Sequence, residues 1–407
     1  MVILRLRYAL RRHRLLALAL AGILSISAAA PAATSPTTNA TTPSAPTPTA
    51  TGTPLRDGTG LYPRAVRLAH NGTANGRILA GVVTFDGDNG IGAIHESTDS
   101  GATFREVGRI ADPESAAGQG LCCATLFELP RPVGGLRAGT LLWASSAGQD
   151  EPDRRMALRI WRSDDVGRTW SYLSSCAVAS GTGGLWEPEF SVAADGALVC
   201  HYSDETDPAH SQKLVAARSY DGVRWQDHHD TVAGTWAPDR PGMPVVRRLP
   251  NGTYFMSYEI CNPGGQYQCV VHYRTSADGW NWGDPADLGI RPETADGRYF
   301  RAAPTVAWAP TPGGGDGRLL LIGQRLLNRD GTVAAGSGRT ILTNTRNGSG
   351  PWSAITSPVA VPNPEVNYCQ NYSSPLLPSA DGRRLLQLAT DFEGSVCRAY
   401  YATASLP

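Results

Sequence analysis

A single lysine, Lys213, stands in 407 residues, positive charge being carried almost wholly by arginine, and 36 basic residues balance 36 acidic ones. With no net charge and no basic patch or stripe, the chain lacks the electrostatic footprint of a nucleic-acid or anionic-membrane binder. No Cys-x-x-Cys, His-Glu-x-x-His or other zinc spacing occurs, so no catalytic metal and no cofactor is expected. Long apolar runs and helix-period stretches are missing too. The one apolar segment, from Leu15 to Ile26, is short for a membrane span and follows Arg5, Arg7, Arg11, Arg12 and Arg14. With the small residues Ala28 to Ala33 behind it, residues 1–33 read as a secretory signal peptide. The mature protein is then secreted, extracellular and free of the membrane.

Residues 34–54 are nearly all Thr, Pro, Ser and Ala, a composition that buries too little apolar surface to offset the entropy of ordering, and are expected to form a disordered linker. The remainder, 55–407, holds most of the 45 Gly, 30 Pro and 10 Trp, which favours many short strands joined by tight turns. Eight cysteines in an exported chain are expected as disulfides. Cys261 with Cys269, Cys369 with Cys397 and Cys176 with Cys200 are the plausible pairs. Cys122 and Cys123 are left as a vicinal bridge or as partners elsewhere.

A repeat of about sixty residues organises this region. Six β-rich openings recur: YPRAVRL at 62, LCCATLFEL at 121, WEPEFSV at 186, RPGMPVVRRL at 240, FRAAPTVAW at 300 and NYSSPLL at 371. Each is followed by a Gly-containing turn and a second apolar strand. In four units the third strand ends in a Ser-x-Asp turn with Gly and an aromatic: Ser97 to Phe104, Ser163 to Trp170, Ser219 to Trp225 and Ser276 to Trp282. A degenerate copy surrounds Asn347, Gly348 and Trp352. These are Asp boxes, whose Ser and Asp side chains hydrogen-bond their own turn while the aromatic packs between sheets, so their role is structural. The fold class expected is all-β, a six-bladed β-propeller of the sialidase type, with residues before Tyr62 lending the last blade its outer strand.

In such a blade the start of the first strand and the end of the second meet at one face, while the Asp boxes lie at the other. First-strand starts offer Arg64, Trp186, Glu187, Arg240, Arg301 and Tyr372; second-strand ends offer Asp86, Asp204, Glu259, Arg325 and Asp391. Charges gathered at an axis mouth form either a polar pocket or a hydrated rim whose ions pair with one another. Glycoside hydrolysis needs two carboxyl groups, one to protonate the leaving oxygen and one to meet the oxocarbenium-like carbon. Glu187, set before Pro188, and Glu259, beside Cys261, are the best pair.

Around these residues the chain resembles glycoside hydrolase family 93, the exo-α-1,5-L-arabinanases. The segments that carry it are Trp186-Glu187-Pro188, His201 to Glu205, His210 to Lys213, and Arg240 to Pro244 running on to Ser257-Tyr258-Glu259. The resemblance implies a retaining enzyme that releases arabinobiose from the non-reducing end of linear arabinan. Glu259 is then the nucleophile, Glu187 the acid/base, and Tyr372 a partner of the nucleophile. Arg64, Asp86, Trp186, Asp204, Arg240, Arg301 and Arg325 are candidate substrate contacts, the partner is a poly- or oligosaccharide, and the protein is expected to be a monomer. Two other readings compete. A sialidase would use Tyr372 with Glu259 and Asp86, and would grip a carboxylate with Arg64, Arg301 and Arg325. A non-catalytic carbohydrate-binding propeller would need no catalytic pair at all.

Overall fold

The computed structural model describes residues 50–262, 265–314 and 317–407, which belong to one compact unit. The signal peptide expected over 1–33 and the linker up to residue 49 lie outside the described residues. Among those described, no helix is long and apolar enough to cross a membrane. The described residues are all-β apart from two three-residue 3₁₀ turns, and their strands form six sheets, one per blade.

Blade one comprises Leu61–Arg67, Ile78–Asp86, Asn89–Ser97 and Arg105–Ala111, innermost strand first. Blade two begins with Leu121–Glu128, blade three with Leu185–Val192, blade four with Arg240–Arg248, blade five with Thr305–Ala309 and blade six with Leu376–Pro378. The inner faces of neighbouring blades pack together, and their apolar side chains form the core. The ring closes as expected: Thr53 and Pro54 pair with Tyr401 and Tyr400 of the last strand. The last residues of the stretch assigned to the linker therefore belong to the propeller. Though low in apolar content, they complete a ladder that would otherwise leave an open edge.

Each Asp box folds as its residues dictate. In the first, Ser97 Oγ accepts from Gly101 N–H at 2.8 Å and Asp99 Oδ1 accepts from Thr103 N–H at 2.9 Å. The Thr103 hydroxyl and amide and the Ser97 hydroxyl, all donating to Asp99, hold its carboxyl down at about 2, a committed turn anchor. In blade five Asn344 takes over, its Oδ1 accepting from Gly348 N–H at 2.9 Å.

The first strand of blade five is broken, which the sequence did not announce. Ala302 and Ala303 both adopt positive φ (64° and 46°), so Thr305–Ala309 continues blade five while Tyr299–Arg301 pairs outward with Val270 and with Arg325–Leu327. All four disulfides form: Cys122–Cys123, Cys176–Cys200, Cys261–Cys269 and Cys369–Cys397. That number suits an oxidising, extracellular compartment.

Candidate active site

One backbone device builds the mouth of the axis. At or just before the start of every innermost strand stands a left-handed residue: Tyr62 (φ 48°), Cys123 (61°), Glu187 (59°), Met243 (59°), Ala303 (46°) and Ser373 (53°). In the first four blades it sits in a β-bulge, where pairing skips between Leu61 and Arg64, Cys122 and Thr125, Trp186 and Glu189, and Gly242 and Val245. Proline follows directly in blades one, three, four and five, and a residue without an N–H suits a place where the ladder is interrupted. The bulge frees one amide per blade, and non-glycine residues held at positive φ gather where a site demands them.

Those amides find carboxylates. Met243 N–H in blade four donates to Glu187 Oε2 in blade three at 2.8 Å, and Ala303 N–H in blade five donates to Glu259 Oε2 in blade four at 2.6 Å. Each glutamate is thus held by the left-handed residue that opens the next blade, in a bulge at Met243 and at the strand break at Ala303. Ser203 Oγ adds a second donor to Glu187 Oε2, at 2.6 Å. Gly242, the cross-strand partner of Glu259, must lack a side chain: a Cβ there would meet Gln212 Nε2 at 2.4 Å and stand 3.6 Å from Glu187 Oε2.

The electrostatics tie the groups together. Burial raises the Glu259 carboxyl to about 8, against the pull of the Ala303 amide and with a further push from the charge of Glu187. Burial raises Glu187 too, opposed by Ser203 and the Met243 amide. Tyr372 is held well above its ordinary value by burial and then by both glutamates, and its ring lies 5.9 Å from that of Tyr62. No hydrogen bond joins Tyr372 to either carboxylate among the described residues. Arg301 stands close enough to favour ionised Glu259, and its buried Nε has no acceptor among the described residues.

The other expected contacts are occupied differently. Arg64 is buried, donating to Ser373 Oγ at 2.8 Å and lying 4.0 Å from Glu189, which also pairs with Arg247 at 2.5 Å. Arg240 holds the 205–212 loop, bonding Ser211 Oγ at 2.8 Å, Gln212 Oε1 at 2.6 Å and Glu205. Arg325 pairs with Glu365 at 2.7 Å. Trp186 is half-buried against the core, with the Arg154 guanidinium 5.6 Å from its ring. Asp86 is exposed at a hairpin tip opposite Asn89. Asp204 faces away, because strand side chains alternate and Ser203 already points at Glu187. It lines a groove of about 480 Å³ between blades two and three with Tyr202, Lys213 and His228, whose lining includes neither glutamate. Lys213 is there bound to Asp207 at 2.8 Å and Asp230 at 2.9 Å. Among the described residues the one cluster with metal-ligand spacing is Glu259, Cys261 and Cys269, and its two cysteines are spent on a disulfide.

The sequence reading missed the donors. Ser203 lay inside a quoted motif but was given no role, and a backbone N–H from the adjacent blade leaves no mark on residue identity. The X-Pro pairs that open the strands were the available signal.

No protein-family model and no curated protein matches the chain. Solved structures do. An α-L-arabinanase of Penicillium chrysogenum complexed with arabinobiose is 28% identical, covers 88% of this chain and 99% of its own, and superposes with a TM-score of 0.72. A family 93 α-L-arabinofuranosidase of Fusarium graminearum, also with arabinobiose, is 25% identical over 88% of this chain and 98% of its own, with a TM-score of 0.70. A Hadza microbial sialidase, 15% identical over 86% of this chain and 66% of its own, shares the fold at a TM-score of 0.55. The resemblance to glycoside hydrolase family 93 is borne out, and with it the reading of the chain as a glycoside hydrolase on a sialidase-like propeller.

Proposed function

We propose that this glycoside hydrolase is a secreted, retaining, exo-acting enzyme of linear α-1,5-L-arabinan that releases arabinobiose from the non-reducing end. The observation that carries the reading is the pair of partly buried glutamates on adjacent blades, each anchored by the amide of the left-handed residue of the next. Arabinobiose in both fungal relatives points to the substrate.

In this reading Glu187 protonates the departing glycosidic oxygen while Glu259 attacks the anomeric carbon. Glu187 then deprotonates the water that frees the sugar. Burial raises both carboxyls, Glu259 to about 8, so the pair holds the one proton that general-acid catalysis requires. Arg240 and Arg301 favour the ionised form of Glu259 that attacks, and the positive charge that develops on the sugar in the transition state stabilises it further. Tyr372, crowded by both carboxyls, stays a neutral phenol near the reacting carbon.

A sialidase mechanism is disfavoured by commitments within the protein. Arg64 is bound to Ser373 and Glu189, Arg325 to Glu365, and Asp86 lies on an exposed tip, which leaves Arg301 alone to hold a carboxylate.

Incubating the mature chain with linear α-1,5-arabinan and, in parallel, with a sialoside tests the proposal, with products separated by chromatography and the first-formed anomer read by NMR. Arabinobiose of retained configuration is expected. Sialic acid release, or an inverted product, would overturn it. Turnover should vanish in Glu187→Gln and Glu259→Gln; a binding module would keep its ligand in both.

A further inference from the structure

The bridge between Cys122 and Cys123 plays no part in the mechanism above, and it does not act as the other three do. Those join residues 24, 8 and 28 apart, and a cross-link stabilises a fold chiefly by closing a chain loop. A bridge between neighbours, with a separation of 1, closes none. Its effect is local. Two thiols, which in a regular strand would point to opposite faces, become one compact, polarizable ring with no S–H donor.

The ring sits at the mouth of the axis. Cys123 is the left-handed residue of blade two, the place that Tyr62 holds in blade one and Glu187 in blade three. Cys122 precedes it as Leu61 precedes Tyr62, as Trp186 precedes Glu187 and as Tyr372 precedes Ser373. Cys123 is 4% exposed and buried against Tyr62, Met243 and Ala303, whereas Cys122 is half-exposed on the same cluster beside Trp186 and Tyr372. Tyr372 in turn feels both glutamates. A compact sulfur surface free of hydrogen-bond donors therefore lies among the aromatics that frame the carboxyl pair.

We propose that the Cys122–Cys123 ring is a substrate-contacting platform on which the C–H face of a neutral furanose unit rests while Glu187 and Glu259 act. The inference rests on the arabinan reading and deepens it, since it assigns the apolar half of sugar recognition to blade two. A sugar ring offers hydroxyls at its rim and C–H groups on its face, and a flat polarizable surface matches the face.

The test is Cys122→Ala/Cys123→Ala in the mature chain, with Cys122→Ser/Cys123→Ser as a second variant of nearly native volume. Thermal unfolding should shift by no more than about 1 °C, because no loop is released. KM for linear α-1,5-arabinan should rise roughly tenfold, as expected for one lost apolar contact, with kcat within about threefold of wild type. An unchanged KM in either folded variant, or a lower melting temperature with kinetics intact, would overturn the platform alone. No turnover of arabinan by the wild-type chain would overturn the substrate reading and this inference with it.

Discussion

Replacing Glu259 by glutamine should stabilise the protein, and by an amount that grows with pH. Burial lifts the carboxyl from 4.5 to about 8, so the folded state prefers the neutral form. The sign follows from linkage: a group raised in the fold contributes its full stability below its unfolded value and loses it as pH climbs through its folded value. Between 4.5 and about 8 lie ~3.5 units at ~1.36 kcal/mol each, a ceiling of about 5 kcal/mol when the group is fully ionised and about 3 kcal/mol at pH 7. Glutamine is uncharged throughout, and its carbonyl oxygen still accepts the Ala303 N–H. For roughly 350 ordered residues the unfolding entropy is ~0.7 kcal/mol per degree, so the pH 7 gain corresponds to about 4 °C. Thermal unfolding of wild type and Glu259→Gln, followed by circular dichroism from pH 4 to 9, measures it. The curves should coincide near pH 4, separate with rising pH and run parallel above about pH 8.5. A difference independent of pH, or a variant less stable at pH 8, would refute the claim that burial outweighs the Ala303 amide and the nearby arginines at this carboxyl.

Further expectations come from the same contacts. The alkaline limb of kcat/KM should fall as pH rises through about 8, because the pair then loses its one shared proton; a profile flat to pH 9.5 would contradict this. Ser203→Ala removes the hydroxyl donor to Glu187 and should lower kcat/KM roughly tenfold with little change in melting temperature, the ~1–2 kcal/mol of a charge-assisted hydrogen bond. Gly242→Ala drives a methyl against Gln212 and toward Glu187, and should cost about 1–3 kcal/mol in unfolding free energy together with most of the activity. Cys369→Ala/Cys397→Ala opens a loop with a sequence separation of 28, and unfolding titrations should show a loss of ~3–4 kcal/mol.

Much of the architecture was legible because it is local. The Asp boxes at Ser97, Ser163, Ser219 and Ser276 satisfy their turns with their own side chains, so spacing alone reveals blade number and phase. Strand alternation and the rule that first-strand starts and second-strand ends share one face placed Glu187 and Glu259 together. The same rule failed for Asp204, one residue out of phase with the axis, and for Asp86, whose hairpin carries it to an exposed tip. It overcounted the arginines as well. Arg64 and Arg240 do lie near the mouth, but the partners that occupy them, Ser373, Glu189, Glu205 and Gln212, come from other strands and blades.

By itself, then, the sequence determined the propeller, its six units and the disulfide-rich character of the chain, and singled out Glu187 and Glu259 as the candidate pair, because each is written in residue type at short range. Tertiary structure alone decided what those carboxyls are. Their anchoring donors are backbone amides of the neighbouring blade, freed by the bulge at Met243 and by the strand break at Ala303, and their raised pKa values come from burial that only ring closure produces. It also decided that the vicinal cysteines pack at the mouth of the axis with Tyr62, Met243 and Ala303. A backbone N–H carries no side-chain signature, and a face shared by six blades exists only once the chain has closed on itself.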